Sequence, residues 1–134
     1  MAFAIEITIP ANTTADDPKI ITLSGTSMRV IGLDITFPDG CVGLVECSFD
    51  YQGRQLFPYN PEGKFVGNGQ TISIHPQIDL IGPPHKISIV GVNTDDTFEH
   101  TLYIVIDVLF LDKHGNIDTG MLDALRELFA MPGR

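Results

Sequence analysis

Tryptophan is absent, and basic residues are few: 8 Lys and Arg against 17 Asp and Glu in 134 residues, a formal net charge of −9. The bases, Lys19, Arg29, Arg54, Lys64, Lys86, Lys113, Arg126 and Arg134, never cluster. Surfaces that track phosphates concentrate Lys and Arg, so this pattern argues against nucleic acid as a partner. An anionic membrane would repel the chain as well. The acidic balance suits solubility, or a basic partner surface. Long apolar runs are missing too, and nothing approaches the ~20 residues of a membrane-spanning helix. "MAFAIEITIP" has neither the basic start nor the apolar core of a secretory leader, which predicts synthesis in the cytoplasm without export by that route. Cysteine is scarce. Cys41 and Cys47 stand six apart in "CVGLVEC". On one strand, at about 3.3 Å per residue, they lie roughly 20 Å apart. A disulfide needs Cα atoms within about 7 Å, so two free thiols are expected, as suits a reducing compartment.

What the sequence does have is alternation. Hydrophobic residues make up 43% of a chain of ordinary single-domain length. Phe3, Ile5, Ile7 and Ile9 alternate with polar or small neighbours. So do Ile31, Leu33, Ile35 and Phe37, and again Leu102, Ile104, Ile106, Val108 and Phe110. A period of two marks half-buried antiparallel strands. Less regular strands are expected at 19–24, 42–51, 70–75 and 86–92, with short ones at 54–57 and 77–81. The clusters "SGTS", "PDG", "GNG" and "GPP" supply turns between them. Seven or eight strands without intervening helices predict an all-β fold over residues 1–112, an antiparallel β-sandwich of jelly-roll-like form.

Two segments depart from this pattern. Residues 58–69, "PYNPEGKFVGNG", form a long loop rich in Pro and Gly, and loops of that length are often functional or interfacial. Tyr59 and Phe65 within it either cap the end of the core or anchor a contact. Residues 113–134 switch to a linker and a short C-terminal amphipathic α-helix. Met121, Leu122, Leu125, Leu128 and Phe129 fall on one helical stripe, Asp118 or Thr119 can cap its start, and Pro132–Gly133 ends it. A helix of about eleven residues is marginal alone in water, so the stripe must dock, on its own sandwich or on a neighbour.

The most chemically loaded stretch is "NTDDTFEH", residues 93–100. Asp95, Asp96 and Glu99 carry the oxygens that calcium takes, but the alternating donors and central Gly of a calcium loop are missing. Asn, Thr and Asp are also turn formers, so a connection between two strands is the expected reading. His75, His85, His100 and His114 show no zinc-binding spacing and are expected on the surface. "LSGTS" is not a nucleophile elbow, and "PEGKF" lacks the frame of a phosphate loop. No catalytic residue, metal or cofactor is expected, and the chain does not read as an enzyme.

Four blocks, "TIPANT" (8–13), "FPDGCVGLV" (37–45), "QLFPYNPEGKF" (55–65) and "LIGPPHKISIVGVNTDDTFEHTLYI" (80–104), resemble small structural proteins of tailed bacteriophages. The resemblance implies a non-enzymatic virion protein, a capsid decoration or other head-associated component. Such proteins are commonly compact β-sandwiches that oligomerise, for instance as trimers, and sit on the major capsid protein or another virion protein. Tyr59, Phe65 and the 121–129 stripe are then the candidate interface residues. The alternative is a carbohydrate-binding jelly-roll adhesion module, with Tyr51, Tyr59, Phe65 and Tyr103 available to stack on sugar rings.

Overall fold

A computed structural model describes residues 1–117 apart from Pro61, Pro84, Lys113 and Gly115. The expected helix and its stripe, Met121, Leu122, Leu125, Leu128 and Phe129, lie outside the described residues. Within them the fold is all-β. Ten strands follow one another: β1 (Ala2–Ile9), β2 (Lys19–Ser24), β3 (Met28–Phe37), β4 (Val45–Tyr51), β5 (Arg54–Phe57), β6 (Phe65–Val66), β7 (Gln70–Ile74), β8 (Ile78–Leu80), β9 (Lys86–Asn93) and β10 (His100–Phe110). Nine of them fall on segments read as strands from the sequence, against the seven or eight of the expected sandwich. The unforeseen strand is β6, which pairs with β4 inside the 58–69 segment and, with two residues, is too short to show a period.

The strands form two five-stranded antiparallel sheets. One has the order β1-β10-β3-β7, with β8 also paired to β3. The other has the order β2-β9-β4-β5, with β6 also paired to β4. Both contribute to one core. Ile7, Ile9, Leu33, Ile35, Leu102 and Ile104 come from the first sheet, and Val45, Cys47, Phe49 and Ile89 from the second, all buried. Gly91 of β9 shows how closely the two meet. A Cβ placed on it would lie 2.5 Å from Ile9 Cδ1 and 3.4 Å from Ile7 Cδ1, across the gap between sheets.

β10 keeps its alternation, with Leu102, Ile104, Ile106 and Val108 all inward. β3 does not. Leu33, Ile35 and Phe37 point inward as expected, but Val30 and Met28 are also buried and Ile31 is not. The register explains the correction: Asp107 pairs with Gly32 and Val108 with Val30, leaving Ile31 as the extra residue of a β-bulge. The glycine beside it is the trace such a bulge leaves in sequence.

β4 begins at Val45 rather than at residue 42. Val42 and Gly43 have positive φ (41° and 80°), and Leu44 N donates to the Cys41 carbonyl at 2.8 Å, so a tight turn occupies those residues. Cys41 and Cys47 are both free and buried. Burial pushes the Cys47 thiol up to about 12, so it stays protonated and unreactive.

The Gly91–Ile9 approach yields a measurable coupling. Gly91→Ala should destabilise the fold by about 1–3 kcal/mol through overpacking, read as a lower urea midpoint. Ile9→Val removes Cδ1, the nearer of the two Ile9 atoms in conflict (Cγ1 would lie at 2.9 Å), so it should cost less in the Gly91→Ala background than in the parent.

Candidate functional site

The 93–100 loop is a connection between β9 and β10, as its turn chemistry predicts. Its ends are buried, and strand parity is the reason. Ile87, Ile89 and Gly91 point inward along β9, and Asn93 continues that series at 0% exposure. Leu102 and Ile104 point inward along β10, and His100 continues theirs at 9% exposure. The surface position expected for the histidines therefore holds for His75 and His114 but not for His100, and His85 is half-buried. The signal that locates His100 was present in the sequence as its even spacing from Leu102 and Ile104.

A buried polar group needs partners, and here each has them. Asn93 Nδ2 donates to the carbonyls of Ile9 (3.1 Å) and Phe98 (3.0 Å), while its Oδ1 accepts from Asp95 N (3.0 Å). The Asn93 backbone exchanges two 2.9 Å hydrogen bonds with Thr13. His100 Nε2 lies 2.9 Å from Asp95 Oδ2, so the proton sits on Nε2 and is donated to the carboxylate. The other oxygen, Oδ1, accepts from Thr97 N (2.9 Å) and Phe98 N (3.2 Å). The His100 hydrogen bond, followed by the Thr97 N–H, holds the Asp95 carboxyl below its usual range. Both oxygens of Asp95 are thus committed to the loop. Asp96 Oδ1 accepts from Thr97 Oγ1. Among the described residues, no three His, Cys, Asp or Glu side chains gather as a metal-ligand set. The arrangement around Asp95 braces a loop, while Asp96 and Glu99 stand exposed at its surface.

The same end of the molecule draws in two further segments. Asn12 N donates to the Asp95 carbonyl at 2.9 Å, and Thr94 N donates to the Leu44 carbonyl at 2.9 Å. A Cβ on Gly40, whose φ of +98° suits glycine, would meet His100 Cε1 at 3.8 Å. Residues 8–13, 37–45 and 93–100, distant in sequence, therefore form one polar tip.

The second candidate is aromatic. Phe49, Phe57, Phe65 and Tyr59 form a chain of edge-on rings: Phe49–Phe65 at 6.2 Å, Phe49–Phe57 at 6.4 Å and Phe57–Tyr59 at 6.0 Å between centroids. The chain runs from the core to the surface. Phe49 is 1% exposed, Phe65 is partly buried against the core, and Tyr59 is 67% exposed. Phe65 thus packs against the core, while Tyr59 stands in solvent. An open groove of about 300 Å3 lies between Phe57, Tyr59, Phe65, Ile74 and His75. Gln55 fixes the loop beside it, with Nε2 within hydrogen-bond distance of the carbonyls of Pro58 (3.1 Å), Asn60 (2.9 Å) and Gly63 (3.0 Å). Tyr51 is half-buried and donates its hydroxyl to the Gly82 carbonyl, whereas Tyr103 is exposed on β10, away from any groove-lining role beside Tyr59.

No protein-family model matches the chain, and none of the curated proteins compared with it matches.

The Asp95 bracing predicts a pH dependence. A carboxyl whose folded value is depressed stabilises the fold above its unfolded value, about 3.9, and loses that contribution as pH falls through the folded one. The urea midpoint should therefore fall on acidification below about pH 3.9, and Asp95→Asn should lower the midpoint at pH 7 while removing part of that acid slope.

Proposed function

We propose that this chain is a non-enzymatic virion structural protein of a tailed bacteriophage, a capsid decoration or other head-associated protein acting through protein–protein contacts. The observation that carries the reading is the strand order. Taking β1–β5, β7, β9 and β10 as eight consecutive strands, the orders β1-β10-β3-β7 and β2-β9-β4-β5 match the pairing that a jelly-roll sandwich would have, which supports this reading. Jelly rolls are recurrent in viral capsid and lectin domains. Support also comes from the blocks that resemble phage structural proteins. Three of them supply the polar tip, through the Asn12–Asp95 and Thr94–Leu44 hydrogen bonds, and the fourth supplies the aromatic groove. A role built on docking has use for a braced tip and an exposed aromatic, and needs no reactive centre.

In this reading Tyr59, standing out of the groove, is the anchor and Phe65 its support. Symmetric assembly, for instance as a trimer, would multiply a modest contact into firm attachment to a shell. The exposure of Tyr59 also suits stacking on a sugar ring, which keeps the carbohydrate-binding jelly roll as the second reading.

Light scattering on the purified chain, followed by sedimentation with phage capsid shells that lack it, separates the two. An oligomer that sediments with shells, and whose affinity falls by about tenfold or more on Tyr59→Ala, is expected. A strict monomer that stays in the supernatant would sink the proposal. Saturable binding on a glycan array, abolished by the same substitution, would favour the carbohydrate reading.

A further inference from the structure

The outer face of the second sheet carries a groove of about 210 Å3 that neither the polar tip nor the aromatic groove uses. Val45, Cys47 and Phe49 take the core face of β4, so Glu46, Ser48 and Asp50 share the other. Val90 and Val92 of β9 complete the floor. Gln55 and Lys64 wall the groove beyond β4, where Lys64 Nζ donates to Gln55 Oε1 at 2.5 Å.

Ser48 is the unusual member of this lining. It faces away from the core, yet it is only 3% exposed. On the side away from β9, β4 pairs with β6 at Glu46 and Cys47 and with β5 from Phe49 onward. Ser48 falls where one partner gives way to the other. Every side-chain N or O sealed from solvent has a hydrogen-bond partner among the described residues. The Ser48 hydroxyl has none among them, so it is not sealed, and what it exposes opens into the groove. A nearly buried hydroxyl without a protein partner leaves one donor and its acceptor sites to be met by something else.

We infer that this groove binds an uncharged, hydroxyl-rich ligand, a sugar unit laid across Ser48. The polar lining sets the class. Glu46 and Asp50 offer only acceptors, and among the described residues neither forms an ion pair. Lys64 spends one of its three N–H donors on Gln55 and keeps the rest. A cationic ligand meets the Lys64 ammonium, and an anionic one meets two carboxylates, so like charges disfavour both. A neutral ring avoids either conflict. Its hydroxyls donate to Glu46 and Asp50 and accept from Ser48 and Lys64, while its C–H face rests on Val90 and Val92. At about 3.3 Å per residue, Glu46 and Asp50 lie about 13 Å apart along β4 with Ser48 midway, a span that suits one or two rings. The inference does not rest on the virion reading, and unlike the carbohydrate reading above it makes no use of Tyr59.

NMR titration of the 15N-labelled full chain tests it, with glucose, galactose, mannose, N-acetylglucosamine, lactose and cellobiose as probes. At least one sugar should shift the amides of residues 46–50, 55, 64 and 90–92 saturably. Ser48→Ala and Asp50→Asn should each weaken that sugar by about tenfold or more while the sheet resonances stay in place. Tyr59→Ala should leave its affinity unchanged. Arginine methyl ester and inorganic phosphate should give no saturable shift at the same amides. The inference is overturned if no sugar saturates these amides, if a charged probe does so instead, or if both groove substitutions leave affinity unchanged. Loss of binding on Tyr59→Ala would overturn it too, by moving the sugar to the aromatic groove. Sedimentation with capsid shells is a separate readout, so the virion reading stands or falls independently.

Discussion

Side-chain parity along β3, β10, β4 and β9 is the constraint on which the rest of the structure depends. These strands occupy the middle of the two sheets and supply most of the fully buried side chains. A slip of β10 by one residue would turn Leu102, Ile104, Ile106 and Val108 to solvent. At about 1.5–3 kcal/mol for each buried side chain, that loss is roughly 6–12 kcal/mol, comparable with the ~5–15 kcal/mol stability of a whole domain. No surface contact here approaches that size, so the core sets the register and the surface follows.

The polar tip follows from the same parity. Asn93 and His100 are inward-facing because their strands run two residues past the apolar series, so they meet the interior where the core ends. Asn93 is satisfied by backbone carbonyls, and His100 by a carboxylate from the loop that joins the two strands. The loop is thereby held from beneath, and segments 8–13 and 37–45 are held against it. On the opposite margin, the edge strands β1 and β2 leave an apolar cleft where sheet pairing has run out. A braced polar end, an exposed tyrosine and an apolar cleft are three surfaces of one scaffold.

Much of this was legible in the residues. The long strands, the turn clusters, the two unpaired thiols and the connecting role of "NTDDTFEH" all follow from local chemistry. Ile31 was misplaced because a bulge adds one residue and reverses parity, a choice made by the neighbouring strand rather than by β3 itself. β6 escaped because two residues carry no period, and its existence depends on Glu46 and Cys47 of β4. His100 was readable from its phase with Leu102, but Asp95 as its partner depends on how the loop folds back. The two strand orders were beyond reach, since pairing β1 with β10 or β2 with β9 joins segments from opposite parts of the sequence.

If one shared core holds both sheets, they must open together. Native-state hydrogen exchange read by NMR measures this residue by residue. The slowest amides should lie in β3, β10, β4 and β9 and share one opening free energy across the two sheets, with the edge strands exchanging sooner. Two separate opening free energies, one for β3 and β10 and another for β4 and β9, would contradict a common core.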